Sequence, residues 1–211
     1  MNDHSPLRSA WTESLARGER PDADALRRHL RAVHVDHAGF TETCARACRD
    51  AAGRTSYEWL AEVASGTDGG HILDLACGSG PLLEILHARD TRLQLTGADM
   101  CPEELALARQ RLPDGAANLV ETDAQHLSAL PDGSVDVVLC HWALTLMDPV
   151  APVLDEVRRV LVPGGRFAAL VDGPMEAAPG YEAVHDLIYG YVQADLPGYG
   201  EVDLGDPRVR D

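Results

Sequence analysis

The 211-residue sequence predicts an α/β fold: a doubly wound, mostly parallel sheet behind an N-terminal helical cap. Three observations carry this. From His71 onward, short apolar runs alternate with amphipathic helical stretches, the pattern of parallel strands covered by helices on both faces. The first apolar run opens directly into a glycine-rich turn, as the first strand of an open ligand-binding sheet does. Before residue 66 the apolar spacing is helical. Composition agrees, because 45% apolar and 25% charged residues describe an ordinary globular chain that can bury a sizeable core.

In the cap, Leu26, Leu30 and Val33 follow the i, i+4, i+7 spacing behind an acidic start at Asp22 and Asp24. Thr41 is placed to cap a helix whose small apolar face is Cys44, Ala47, Cys48 and Ala51. Ser56 then precedes Trp59, Leu60 and Val63, and Gly66 stops that run. Beyond a loop at Thr67 to Gly70, strands are expected at Ile72–Ala76, Leu93–Ala98, Leu119–Glu121, Val135–Cys140 and Arg166–Val171. Helices are expected at Pro81–Ala88, Pro102–Leu112 and Val150–Leu161, two of them with Pro where it suits a first turn. The expected division is residues 1–66 as cap or lid and 67–211 as the α/β domain. Within the latter, 173–200 form a lid-like insertion whose helix is Tyr181–Asp195.

Charge and cysteine usage exclude several classes. The net charge of -16, from 18 basic and 34 acidic side chains, argues against nucleic acid as a partner. No apolar run approaches the roughly 18–20 residues of a membrane span, so no membrane partner is expected. The polar first twenty residues lack a signal core, which makes the cytoplasm the expected compartment. Five cysteines, odd in number and sparse, do not form a disulfide framework. Cys44 and Cys48 stand four apart, but no CxxC or HxxxH accompanies them, so they read as reduced thiols and no metal is expected. Every basic residue is Arg, which excludes a Lys Schiff base within this chain.

The informative segment runs from His71 through Asp74, Ala76, Cys77, Gly78 and Gly80 to Pro81: strand, tight turn, helix start. Gly78 and Gly80 let the backbone approach a ligand, having no Cβ in the way. At the end of the second strand, the Asp99 carboxylate can accept from both hydroxyls of a ribose, and Met100 can pack on a purine face. After the third strand, Asp123 can accept from an adenine amino group while the backbone of Ala124 donates to a ring nitrogen. The fourth strand ends at Cys140 and opens into His141. A dinucleotide is not indicated, because Gly78-x-Gly80 is followed by Leu82 and Leu83 rather than a third small residue. Without Lys there is no P-loop either. A nucleoside without a pyrophosphate, held beside Asp74, remains. Asp136 reads as a fold-stabilising residue, Cys77 as packing, and His29, His34 and His37 as solvated.

The set Asp74-x-Ala76-x-Gly78-x-Gly80, Asp99, Asp123-Ala124, Pro131-Asp-Gly-Ser-Val-Asp136-Val-Val and Arg159-Val-Leu-Val-Pro163-Gly-Gly resembles the class I S-adenosylmethionine-dependent methyltransferases. Within that family it is similar to the small-molecule branch of quinone and natural-product enzymes. The resemblance covers residues 71–171, and Ala76 stands where the family usually has its first glycine. It implies a Rossmann-like methyltransferase fold with S-adenosyl-L-methionine as cofactor. Asp74 and the Gly78 backbone would hold the methionine end, Asp99 the ribose, Met100 the adenine face, and Asp123 and Ala124 the adenine edge. The Cys140 carbonyl or the start of His141 would complete the amino contact. His141, near the expected sulfonium methyl, is the candidate base. Trp142 and His185 are substrate-pocket candidates, with Trp11, Tyr57, Trp59 and Tyr181 as wall residues. Cys140-His-Trp-Ala replaces the [DN]-P-P-[YFW] element of the amino-methylating nucleic-acid and protein enzymes, which favours a small-molecule acceptor. Two rival readings stand beside methyl transfer: a non-catalytic subunit serving a partner enzyme, and a cofactor-dependent cyclase or decarboxylase. The resemblance also implies a sixth strand and an antiparallel seventh that residues 172–211 do not supply. A C-terminal truncation is therefore expected, or a homodimer or partner chain that completes the sheet, or a pared-down fold.

Overall fold

The computed structural model describes residues 9–19 and 21–171. These fall into two compact units, one ending at Val33 and one running from His34 to Val171. Residues 34–66 fall in the same compact unit as the sheet. The expectations for residues 173–200, for the helix Tyr181–Asp195, for Tyr181 and His185, and for the closing strands lie outside the described residues.

In the first unit, α1 (Ala10–Ala16) starts at a capping box in which the Ser9 hydroxyl accepts from the Thr12 N–H. α2 spans Ala23–Asp36, and the Asp22 carboxylate accepts from the Ala25 N–H at 2.6 Å. Trp11, Leu15, Ala25 and Leu26 form a small core of their own, with Trp11 stacked on His29 at 4.7 Å.

The second unit opens with α3 (Phe40–Ala47) and α4 (Ser56–Ala61). Thr41 does not cap α3: Gly39 takes that place at φ 79°, and Thr41 lies inside the first turn. Cys48 falls beyond the last helical residue in extended conformation. Nor does Ser56 cap α4. The neighbouring Thr55 does, through a capping box with Glu58, whose carboxylate accepts from the Thr55 N–H at 2.7 Å. Ser56 is thereby freed for another partner.

The sheet has five parallel strands in the order β3-β2-β1-β4-β5. They are β1 (His71–Leu75), β2 (Gln94–Asp99), β3 (Asn118–Glu121), β4 (Val135–His141) and β5 (Leu161–Leu170). Helices α5 (Pro81–Arg89), α6 (Pro102–Arg111) and α7 (Val150–Val160) alternate with them. Four strands lie within two residues of the expected positions. β5 begins five residues early, because Leu161 already pairs with Val135 and the Pro163-Gly-Gly stretch is absorbed by a register shift between Val135 and Val137.

Side-chain alternation along the strands fills two cores. Ile72, Leu95, Val137 and Leu139 pack under α4, α5 and α6 with Leu60, Leu83, Leu86 and Leu105. Leu73, Leu75, Val135, Val138 and Cys140 pack under α7 with Val153, Val157 and Val160. Asp136 has the structural role expected of it, since its Oδ2 accepts from the His71 N–H at 2.8 Å and ties the start of β1 to β4. Strand order reverses between β1 and β4, so the carboxyl ends of these two strands form the switch point where open α/β sheets bind ligands.

Gly97, mid-strand in β2, is the tightest point of this packing. A Cβ there would lie 2.7 Å from Leu83 Cδ1, 2.8 Å from Cys77 Sγ and 2.9 Å from Leu119 Cδ2. Gly97→Ala is expected to cost about 1–3 kcal/mol of stability by overpacking. Urea unfolding checks this, and an unchanged midpoint would show that the β2 layer is looser than described.

Candidate cofactor site

The site grows from the turn between β1 and α5. Ala76, Gly78 and Gly80 all have positive φ, at 59°, 52° and 79°. Ala76 thus keeps a left-handed conformation that costs a non-glycine residue roughly 1–2 kcal/mol. The turn is pinned sideways to β2: the Cys77 N–H donates to the Ala98 carbonyl at 3.1 Å, and the Gly78 N–H donates to Asp99 Oδ2 at 2.8 Å. The other Asp99 oxygen accepts from the Cys101 N–H at 2.8 Å. At Gly80 a Cβ would stand 3.0 Å from Ala108 Cβ, so this glycine lets α6 approach the turn.

The cleft above the turn is lined by Asp74, Ala76, Gly78, Asp99, Glu104 and His141, with Tyr57 and Trp142 on the β4 side. Asp74, in the middle strand, is 1% exposed, and its Oδ2 has no hydrogen-bond partner among the described residues. Burial, and then the charge of Asp99, raise its pKa well above the usual carboxylate range. Burial raises Asp99 as well, against the two N–H donors that lower it.

His141 closes the far side. Its ring stacks on Tyr57 at 3.8 Å, and its Nε2 lies 2.8 Å from the hydroxyl of Ser56. Burial pushes its pKa down to about 4, so the imidazole is neutral at pH 7. Trp142 follows at φ 52°, a strained setting for a bulky residue.

Of the residues expected at the site, Asp74, Ala76, Gly78, Asp99 and His141 meet in this cleft. Gly80, Met100, Asp123, Ala124 and Cys140 are not among its lining residues. Gly80 is the N-cap of α5, and Met100 is half-buried beyond Asp99. The Asp123 carboxylate accepts from the Gln125 N–H at 2.8 Å, and Ala124 packs against the α7-side core. Cys140 is fully buried in β4, its thiol pushed up to about 12 by that burial. Tyr57 lines the cleft as expected, whereas Trp59 is 54% exposed and lines a neighbouring pocket.

Three residues of the site escape sequence reasoning. Glu104, 3% exposed, accepts on Oε1 from His34 Nδ1 at 2.8 Å and from the Gly39 N–H at 3.0 Å. His34 is therefore not a solvated histidine; its pKa is raised, foremost by the hydrogen bond to Glu104. Ser56 is the third. For Glu104 a signal existed, since it shares a helical face with Ala108 and Leu112, both buried. Also on the cleft wall, Glu42 accepts from the Ser79 hydroxyl at 2.7 Å and pairs with Arg111 and Arg46, holding α3 against the turn.

The chemistry of these donors fits a cationic nucleoside that carries an amino-acid arm. Such a ligand brings hydroxyl and ammonium donors to a cleft holding two buried carboxylate oxygens without partners, Asp74 Oδ2 and Glu104 Oε2.

Comparison with known proteins agrees. Residues 73–169 match the family described as a methyltransferase domain. The chain is 30% identical over 137 residues to a ubiquinone/menaquinone biosynthesis C-methyltransferase of Desulfotalea psychrophila, an alignment covering 65% of this chain and 54% of that protein. It is 34% identical over 137 residues to a demethylmenaquinone methyltransferase of Thermus thermophilus, covering 64% and 60%. An S-adenosylmethionine-dependent methyltransferase structure from Mesorhizobium loti aligns with a TM-score of 0.50 at 29% identity, covering 59% of this chain and 57% of that one. One from Aquifex aeolicus gives 0.51 at 16% identity over 84% and 89%, a likeness of fold. The chain spans little more than half the length of these curated relatives.

The raised Asp74 carboxyl has a stability consequence. The folded chain keeps this proton where the unfolded chain has lost it, so the contribution is present at acid pH and lost as pH rises above the ordinary carboxylate range. Asp74→Asn preserves shape and removes the ionisation. Melting is expected to be nearly unchanged near pH ~4 and higher than wild type near pH ~8. Equal melting at both pH values would contradict the burial of an ionisable Asp74.

Proposed function

We propose, from the premise that this chain belongs to the class I S-adenosylmethionine-dependent methyltransferase family, that it catalyses methyl transfer to an oxygen, nitrogen or carbon of a small-molecule acceptor. The observation that carries this reading is the cleft itself: buried, unpartnered carboxylate oxygens beside a backbone turn at the sheet's switch point. When bound, the cofactor supplies an electrophilic methyl group. Asp74 and the Gly78 backbone hold its amino-acid end and Asp99 its ribose, as the family resemblance implies. Met100, Asp123, Ala124 and Cys140 are assigned to the adenine side on that resemblance.

The acceptor belongs beside Ser56. A pocket of about 260 Å³ is lined by Ser56, Trp59 and Leu170 together with the charged Arg49, Asp50 and Arg54, and Ser56 joins it to His141. An exposed indole at its rim suits an aromatic acceptor. Relatives named for ubiquinone and menaquinone methylation support a quinol-like ring, here within biosynthetic, secondary metabolism. Proton removal runs from the acceptor to the Ser56 hydroxyl while the Ser56 proton passes to His141 Nε2. An imidazole pushed to about 4 is a weak base, yet sufficient for a hydroxyl acceptor, because an oxygen that has just gained a methyl group is strongly acidic. Much of the remaining acceleration is positioning and exclusion of water. Thiols free at Cys48, Cys77, Cys101 and Cys140 suit a reducing cytoplasm.

Calorimetric titration with S-adenosylmethionine and with its demethylated product tests the cofactor. Absence of heat with both, from folded protein, would end this reading. For the proton path, His141→Gln is expected to lower kcat by about 10²–10⁴-fold while the Kd of the demethylated cofactor changes less than about threefold. Mass spectrometry of turnover should show an acceptor heavier by about 14 mass units. Conversion without that gain would replace methyl transfer by cyclisation or decarboxylation.

A further inference from the structure

We propose that Glu104 is a second ribose-binding carboxylate, so that the cofactor's two ribose hydroxyls are shared between Asp99 and Glu104 instead of both falling to Asp99. This inference rests on the cofactor reading above. Its starting point is the state of the two carboxylates. Each Asp99 oxygen already receives one backbone N–H, from Gly78 and from Cys101, both at 2.8 Å. Each oxygen keeps one lone-pair direction for a ligand. Glu104 is different. Its Oε1 is occupied twice, by His34 and by the Gly39 N–H, which fixes the side chain in place. Its Oε2 is buried and has no hydrogen-bond partner among the described residues.

Leaving a carboxylate oxygen unpaired in a protein interior is costly, and Glu104 is one of the residues that line the cleft. Its position within the cleft is also defined. A Cβ placed on Gly78 would stand 3.7 Å from Glu104 Oε2, and the N–H of the same Gly78 is bonded to Asp99. The two carboxylates therefore flank one glycine, on the β2–α6 side of the turn. Asp74 lies on β1 and serves the other end of the ligand. A pair of vicinal hydroxyls is the ligand feature that offers one donor to each of two neighbouring carboxylates. His34 and Gly39 then act as positioning groups, holding Oε1 so that Oε2 faces the ligand.

The test is a titration series. The demethylated cofactor and its 2′-deoxy and 3′-deoxy analogues are titrated calorimetrically into wild-type protein, Glu104→Met and Glu104→Gln. Met fills the volume and removes both oxygens; Gln keeps one acceptor. In wild type, removing the hydroxyl that Glu104 holds is expected to weaken binding by about tenfold or more. In Glu104→Met that penalty should shrink to less than about twofold, while the penalty for the other hydroxyl persists. Glu104→Gln should fall between the two. Thermal melting of each variant shows that it is folded. If both deoxy penalties are the same in Glu104→Met as in wild type, Glu104 is a structural clasp for the 34–39 segment and the proposal is overturned. If wild type itself gives no heat with the parent ligand, the cofactor reading fails and this inference falls with it.

Discussion

The site depends on one backbone constraint: the β1–α5 turn passes through three left-handed residues and is pinned across to β2 by the Cys77 and Gly78 N–H groups. That pinning orients Asp99 and lets α6 approach the turn at Gly80. It also brings Glu104, in the first turn of α6, to the same cleft. Without it, the carboxyl ends of β1 and β2 would hold separate acidic residues, each reachable by water. With it, Asp74, Asp99 and Glu104 face one small space walled by Tyr57, His141 and Trp142. The switch point of the sheet places that space; the turn gives it its chemistry.

The same arrangement sets the electrostatics. Burial disfavours the charge of both carboxylates; the charge of Asp99 raises Asp74 further, and that of Glu104 raises Asp99. The fold bears this cost in a domain whose two cores are built from apolar side chains. A cationic ligand with several donors offsets these costs, since it brings opposite charge and hydrogen bonds to the carboxylate oxygens. On the β4 side the logic is the opposite. His141 is buried against Tyr57 without an acid beside it, and so stays neutral and available.

Much of this is legible in the chain because it is local. Apolar runs mark the strands, and Pro at the first turns marks α5 and α6. The glycine spacing marks the turn, and Asp136 reads correctly as a residue of the fold. What escapes is pairing across long separations. His34 meets Glu104 over 70 residues, and Ser56 meets His141 over 85, and no periodicity encodes either. The start of α4 is of another kind: Thr55 and Ser56 are adjacent hydroxyls, and only the Glu at the third position after Thr55 distinguishes them. β5 was hidden by Pro163-Gly-Gly, which reads as a turn but is absorbed within the strand pairing. Ala76 shows a limit of motif reading too, because a residue with a Cβ occupies a left-handed position that spacing alone assigns to glycine.

The claim that buried carboxylates await a cationic ligand can be measured as a proton count. S-adenosylmethionine is titrated near pH ~6 in two buffers of different ionisation enthalpy, with wild type and Asp74→Asn. Binding to wild type is expected to release protons, up to about one from Asp74, and this release should be lost in Asp74→Asn. Binding with the same heat in both buffers would contradict the picture of a protonated, ligand-awaiting Asp74.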